Sequence, residues 1–316
     1  MAGEIGIIRR WFSGLTPRRP DVVLGIGDDA ALLEVPARHE LAVSTDTLVE
    51  GVDFPAGADA YDVGFKALAV NLSDLAAMGA EPRWATLALT MPSADDGWLE
   101  RFAAGFREIA GQFNVALVGG DLGRGPLNVT VQIMGVVPAG TALRRDAARV
   151  GDLVYVTGEL GGAALALRLL GAGARPSPES LQRLHRPMPR VVAGSRLRAV
   201  AHAAIDVSDG LCLDLARVAE ASGVGAEIEL DRVPVCEDVL AIGDRDERMR
   251  LALATGDDYE LCFTAPPDSD RLLAALGTQI ALPVTRIGMI TSREGVRWRW
   301  RDGSEFHPDG AGYQHF

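Results

Sequence analysis

Val115-Ala-Leu-Val-Gly-Gly-Asp-Leu-Gly-Arg-Gly-Pro-Leu-Asn-Val-Thr-Val-Gln-Ile-Met-Gly-Val-Val137 holds two apolar runs either side of a Gly/Pro-rich break. The first, Val115 to Val118, is short and unbroken, as in a strand buried on both faces. The second, Leu127 to Val137, alternates apolar and polar positions and reads as a half-buried strand. Working outward, the same reasoning predicts strands at Asp21 to Ile26, Leu41 to Ser44 and Trp84 to Thr90. Two helical patterns lie between them. One runs from about Tyr61 to Met78, with Phe65, Leu68, Leu72 and Leu75 on one stripe. The other follows Ser93 as N-cap, with Asp95 and Asp96 in its first turn, and buries Trp98, Phe102, Phe106 and Ile109. Helices interleaved with strands predict an α/β (α+β) fold.

A connector, Pro138-Ala-Gly-Thr through Val150-Gly-Asp, divides the chain into expected domains 1–140 and 141–316. The second half is predicted to hold strands at Leu153 to Thr157, Ala226 to Leu230, Tyr259 to Thr264 and Val284 to Ile290. Its helices are expected at Ala163 to Leu170, Arg190 to Ala203, Asp209 to Ala221 and Glu247 to Ala254. The run Val296-Arg-Trp-Arg-Trp-Arg301 fits a hairpin strand with Trp298 and Trp300 inward.

Across its 316 residues the chain has 31 basic and 43 acidic side chains, a formal charge of −12. Long-range attraction to polyanions is therefore missing, which argues against nucleic acid and anionic membrane as partners. Lys66 is the sole lysine. Three cysteines without a CxxC pair suit a reducing compartment, and no segment has the roughly 20 uncharged apolar residues of a membrane span. The expectation is a cytoplasmic protein.

The acids recur in one context. Small residues followed by aspartate close several apolar runs: Leu24-Gly-Ile-Gly-Asp-Asp29, Val43-Ser-Thr-Asp46, Val118-Gly-Gly-Asp121, Ile205-Asp-Val-Ser-Asp209 and Ala254-Thr-Gly-Asp-Asp258. Any one of these is an ordinary turn; five in one chain point to a ligand site at strand ends. Asp74 joins them from a helix interior, three residues after Asn71 and hence on the same face. Carboxylates that converge repel, by about 4 kcal/mol for two charges 4 Å apart at an effective dielectric near 20. Cations must intervene. Oxygen ligands without His or Cys favour Mg²⁺, and the five histidines show no zinc spacing. The pattern therefore predicts Mg²⁺-bridged phosphates.

Two nucleotide-binding motifs bear on this reading. There is no GxxxxGK[ST], and Lys66 stands four residues after Asp62, the spacing of a helical salt bridge. Gly25-Ile-Gly-Asp-Asp-Ala30 matches G-x-G-x-x-A, but Pro36 interrupts any following helix, so a dinucleotide-binding oxidoreductase is a weak rival. The small residues at Gly161-Gly162 open a helix whose amides could meet an anion or simply pack closely.

Taken in order, Gly25-Ile-Gly-Asp-Asp29, Ser44-Thr-Asp-Thr-Leu-Val-Glu-Gly51, Lys66-Ala-Leu-Ala-Val-Asn-Leu-Ser-Asp-Leu-Ala-Ala-Met-Gly-Ala80, Gly119-Gly-Asp121, Asp206-Val-Ser-Asp-Gly-Leu211 and Gly256-Asp-Asp-Tyr-Glu-Leu261 resemble the thiamine-monophosphate kinase family, as does the closing Gly312-Tyr-Gln-His-Phe316. The resemblance implies two domains of the aminoimidazole ribonucleotide synthetase-like type. The first would carry ATP and Mg²⁺ and pair in a homodimer, and the second would close over the nucleotide. It implies ATP as co-substrate, thiamine monophosphate as acceptor and several Mg²⁺. By the same resemblance Asp29, Ser44, Thr45, Asp46, Asp74, Asp121, Asp206 and Asp209 are the metal ligands. Gly120, Asp121, Arg145 and Ser208 contact ATP, and Asp53, Asp257 and Tyr313 face the thiamine substrate. Asp46, Asp74, Asp121 and Arg145 carry the catalysis.

Two positions depart from that family. Asp53 stands where it usually has His, and Asp257 where it usually has Glu. An anionic Asp53 beside a substrate phosphate needs a cation or a moved loop. The nearest enzyme rival is an aminoimidazole ribonucleotide synthetase-like activity. Relatives that depend on a terminal cysteine are disfavoured, because Cys212, Cys236 and Cys262 all lie far from both ends.

Overall fold

The computed structural model describes residues 3–308 and 312–313. The chain forms two compact units: one runs to Leu75 and resumes over Ala80–Thr141, and the other takes Ala76–Gly79 and the chain from Ala142 onward.

In the first unit a helical turn, α1 (Glu4–Ile7), precedes a short antiparallel pair, β1 (Val22–Leu24) and β2 (Leu32–Leu33). Then follow β3 (His39–Val49), α2 (Ala60–Ala77), β4 (Glu81–Met91), α3 (Asp96–Gln112), β5 (Ala116–Arg124) and β6 (Asn128–Pro138). The last four strands form one sheet in the order β3-β6-β4-β5. It is antiparallel except at β4–β5, the pair joined through α3, as a parallel connection requires. β3 and β5 both run several residues past their expected ends, so Asp46 and Asp121 lie within strands. The polar residues there belong to the strand alternation and do not terminate it.

α3 forms because Leu99, Phe102, Phe106 and Ile109 recur at helical spacing, and all four are fully buried. Each such burial contributes about 1.5–3 kcal/mol. Its N-cap is Asp95, not Ser93: the Asp95 carboxylate accepts the Trp98 amide at 2.7 Å. Helices α2 and α3 cross in backbone contact. A Cβ on Gly105 would lie 1.9 Å from the Tyr61 carbonyl oxygen, and one on Gly64 would lie 2.1 Å from that of Phe102. Trp84, Ala116, Val118 and Val136 form a second cluster, against which Val22, Ala31 and Leu33 pack.

The second unit holds β7 (Leu153–Thr157), α4 (Gly162–Gly171), α5 (Pro178–His185), α6 (Val191–Leu197), β8 (Ala203–Val207), α7 (Leu211–Ser222) and β9 (Gly225–Glu229). After these come α8 (Glu237–Leu240), α9 (Arg245–Ala254), β10 (Glu260–Ala265), α10 (Asp270–Gln279), β11 (Val284–Thr291), β12 (Gly295–Arg299) and β13 (Glu305–Phe306). The sheet order is β13-β12-β9-β11-β7-β10-β8, antiparallel except for β9–β12. The predicted helix from Arg190 to Ala203 is shorter, because Ala203 already pairs with Thr264 on β10. The aromatic tail is the expected hairpin strand. Trp298 and Trp300 are buried, and the Arg245 guanidinium lies 4.5 Å from the Trp300 ring centre.

Candidate phosphate-binding site

In the first unit, candidate residues gather between β3 and α2. Ser44 Oγ donates to Asp74 Oδ2 at 2.5 Å, and the Asp46 amide donates to Asn71 Oδ1 at 3.2 Å. Asn71 is fully buried and oriented by donating from Nδ2 to the Ala67 carbonyl at 2.9 Å. The helix face of Asn71 and Asp74 therefore meets the strand face of Ser44 and Asp46, the face on which Leu48 is buried. This explains an aspartate in a helix interior: it serves the neighbouring strand.

Asp121 is placed apart from that cluster. Its row across the sheet runs through Ala88 and Thr130 to Thr47, whereas the Asp46 row runs through Val131 and Leu87 to Gly120. Adjacent rows point to opposite faces, and three strand spacings put β5 about 14 Å from β3. Thr45 shares the face of Asp121. Gly120 must be glycine: its φ is +150° and a Cβ would lie 1.8 Å from the Leu87 carbonyl oxygen. Asp29 is exposed in the turn after β1, its amide donating to Asp28 Oδ1 at 2.8 Å. No helix follows the glycine-rich Gly25–Ala30 stretch; β2 does, which removes the dinucleotide reading.

Asp53 has local work. Its Oδ2 accepts the Val49 amide at 2.8 Å, and its own amide donates to the Val49 carbonyl at 3.0 Å. An Asp at this position is engaged in closing the turn after β3.

In the second unit, residues 49 to 104 positions apart in sequence converge. The turn after β8 carries Ser208 and Asp209. The Ser208 carbonyl accepts the Asp257 amide at 2.8 Å, and the Asp209 carbonyl accepts the Tyr313 amide at 3.0 Å. Tyr259 donates its amide to the Val207 carbonyl at 2.8 Å and its hydroxyl to Asp257 Oδ1 at 2.9 Å. Asp257 and Tyr259 both adopt left-handed backbone, φ +66° and +51°. Such strain costs about 1–2 kcal/mol per residue and is retained where surrounding bonds hold it, often at functional sites. Asp206 lies on β8 opposite Leu261 and is buried. Gln314, His315 and Phe316, part of the resembling tail, lie outside the described residues.

Sequence reading missed Asp214 and Arg217. Asp214, in the first turn of α7, is fully buried and accepts the amides of Ser208 and Asp209, both at 3.1 Å. Arg217 Nη1 donates to Asp209 Oδ2 at 2.6 Å and to Asp214 Oδ1 at 2.8 Å. Burial, followed by the neighbouring Asp209 charge, pushes the Asp214 carboxyl up to about 6, against the pull of Arg217 and the two amides. The available signal was an acid inside the apolar stripe of Leu211, Leu215 and Val218.

Two further places were expected to meet an anion. The amide of Ala204, at the start of β8, bonds the Arg144 carbonyl, which sets the backbone of the neighbouring Arg145 about 13 Å from Ser208 along that strand. At the start of α4 the Gly161 amide is already engaged within the chain. Asp258 Oδ1 accepts the Gly161 amide at 2.8 Å, and burial holds this carboxyl well above the usual range. A cavity of about 560 Å³ in the first unit, bordered by Glu50, Trp98 and Arg101, includes none of the predicted metal ligands.

The donors are carboxylate and hydroxyl oxygens, which suit Mg²⁺. Asp209 illustrates the fit, with Oδ2 held by Arg217 and Oδ1 accepting no hydrogen bond among the described residues. Among those residues no three His, Cys, Asp or Glu side chains are already gathered round one point.

Two acid-bearing sheet units define the class of protein. Residues 27–137 match the family described as AIR synthase related protein, N-terminal domain, and residues 149–301 match its C-terminal domain. The thiamine-monophosphate kinase of Salmonella typhimurium is 45% identical over 99% of this chain and 98% of that protein. A crystal structure of thiamine-monophosphate kinase from Stenotrophomonas maltophilia is 49% identical, covers 94% of this chain and 96% of that chain, and superposes with a TM-score of 0.87. AaThiL complexed with AMPPCP and TMP is 31% identical over 99% of this chain and 97% of that one, with a TM-score of 0.78. The chain belongs to the thiamine-monophosphate kinase family.

Proposed function

We propose that this chain transfers the terminal phosphoryl group of ATP directly to the phosphate of thiamine monophosphate, yielding ADP and thiamine diphosphate. The observation that carries this reading is the convergence of Ser208, Asp209, Asp257 and Tyr313 on one hydrogen-bonded turn, in a chain that matches thiamine-monophosphate kinases end to end. The ligand pair of AaThiL, AMPPCP and TMP, supports the same substrates here.

An acceptor phosphate is anionic at neutral pH, so no general base is required, and the protein's task is alignment and charge neutralisation. Asp29, Ser44, Thr45, Asp46, Asp74, Asp121, Asp206 and Asp209 would hold Mg²⁺, which when bound supplies that neutralisation. The Ser44 hydroxyl fixes the rotamer of Asp74, and Asn71 fixes the strand at Asp46. Asp214 fixes the amides of Ser208 and Asp209. Gly120, Asp121, Arg145 and Ser208 would contact ATP, with Arg145 suited to charge on the transferring group. Asp257 and Tyr313 would face the thiamine; Asp53, occupied with its own turn, contributes shape.

The first domain (1–140) would pair with a second copy. Leu41 and Val43 are 47% and 49% exposed on the edge strand β3, and Val23 and Leu32 are exposed on the β1–β2 pair. A long edge strand with apolar exposed residues calls for a cover. No helix of the described residues is long and apolar enough to cross a membrane. Three free, buried thiols fit the cytoplasm.

Coupled ADP release tests the proposal, with thiamine monophosphate, free thiamine and an aminoimidazole ribonucleotide precursor as separate acceptors. ADP release that depends on thiamine monophosphate alone is expected. Release driven by the ribonucleotide precursor would overturn the assignment.

A further inference from the structure

The guanidinium of Arg217 holds a carboxylate that the proposed function gives to a metal ion. It contacts one oxygen of Asp209 and one of Asp214, the carboxylate that braces the same turn. Charge-assisted bonds of 2.6 and 2.8 Å are among the stronger polar contacts in a protein. Arg217 is anchored on α7, and its side chain is 38% exposed, open enough to swing aside. Without it, two carboxylates joined through one turn would face each other uncompensated, since no other basic group bonds either of them among the described residues.

We infer that Arg217 is a resident counter-ion for Asp209, which holds that carboxylate in place when no Mg²⁺ is bound and competes with Mg²⁺ for it. Arg217 is thus a positioning residue: it touches a ligand of the phosphate site and sets how much Mg²⁺ is needed to load it. This inference rests on the reading of Asp209 as a metal ligand. Each step is an exchange of one cation for another on the same carboxylate, with no covalent bond broken. A guanidinium brings one charge in a fixed geometry, whereas Mg²⁺ brings two and can reach substrate phosphate as well. The exchange therefore favours Mg²⁺ more strongly when phosphate accompanies it, so that free Mg²⁺ alone loads the site less readily.

The test compares the intact chain with Arg217→Gln and Arg217→Lys by thermal unfolding, first in EDTA and then across a Mg²⁺ titration without nucleotide. Arg217→Gln should unfold at a lower temperature in EDTA. It should gain more from Mg²⁺ than the parent does, with a half-saturating concentration several-fold lower. Arg217→Lys keeps the cation and should respond as the parent does. A response in Arg217→Gln equal to or smaller than the parent's overturns the inference, as does a lysine variant that behaves like the glutamine one. Whether the parent converts thiamine monophosphate is read in the separate ADP assay, so failure of the proposed function and failure of this inference show up in different measurements.

Discussion

At the scale of single residues, the account turns on which acids serve a ligand and which serve the fold. Asp74 spends one oxygen on Ser44, and Asn71 secures the Asp46 amide. Asp74→Asn keeps an acceptor for Ser44, and Asp46→Asn leaves the Asn71 bond untouched because that bond uses the backbone. Both variants should fold with melting temperatures near the parent's, yet lose turnover by about 100-fold or more. Steady-state rates beside thermal unfolding check this; a near-parental rate at limiting Mg²⁺ would remove the residue from the machinery. Asp21 is the opposite case. The Arg19 guanidinium, with help from Arg83 and Trp84 against the cost of burial, pulls its carboxyl down to about 2. A carboxyl lowered in the folded state contributes stability above its unfolded value near 4, and that contribution is lost as pH falls from 4 toward 2. Asp21→Asn should cost roughly 1–2 kcal/mol at pH 7, allowing for partial screening, with the difference fading by about pH 2. Denaturant midpoints at several pH values measure it. Most of the acids proposed as ligands stood out in sequence because they follow small residues at the close of apolar runs. Asp214 and Arg217 were not, because an acid on a buried stripe looks like any helix residue until the turn it braces is seen.

At the scale of elements, strand and helix existence was readable from periodicity, while ends were set by partners. β3 continues to Val49 because β6 pairs with it to Asn128, and β8 begins at Ala203 because β10 claims that residue. Helices α5 and α10 escaped notice since each is short and buries few apolar side chains. The α2–α3 crossing has a direct test. Gly105→Ala places a methyl 1.9 Å from the Tyr61 carbonyl oxygen and should destabilise by about 1–3 kcal/mol. Gly111→Ala, near the end of the same helix with nothing within 4 Å, should instead stabilise by about 0.5–1 kcal/mol. Equal midpoints for the two variants would mean that the helices do not cross where described.

At the scale of the whole molecule, the net charge of −12 argues against polyanionic partners, and the order of motifs pointed to a kinase. What sequence order could not convey is that the acids fall into separate groups. The Asp46–Asp74 group and Asp121 occupy different faces of one sheet, and Asp206–Asp209 belongs to another sheet altogether. Pairing of first domains should cover the apolar residues of β3. Val43→Glu, which adds a charge at an exposed position, should therefore shift sedimentation from dimer to monomer; a variant that sediments as the parent does would place the interface elsewhere. The central claim is direct transfer between two phosphates, and ATP labelled at its terminal phosphoryl group tests it most directly. With thiamine monophosphate and Mg²⁺ present, the label should pass into thiamine diphosphate one for one with ADP, leaving the protein unlabelled. Label recovered on the protein or as free phosphate, with none in thiamine diphosphate, would contradict the account.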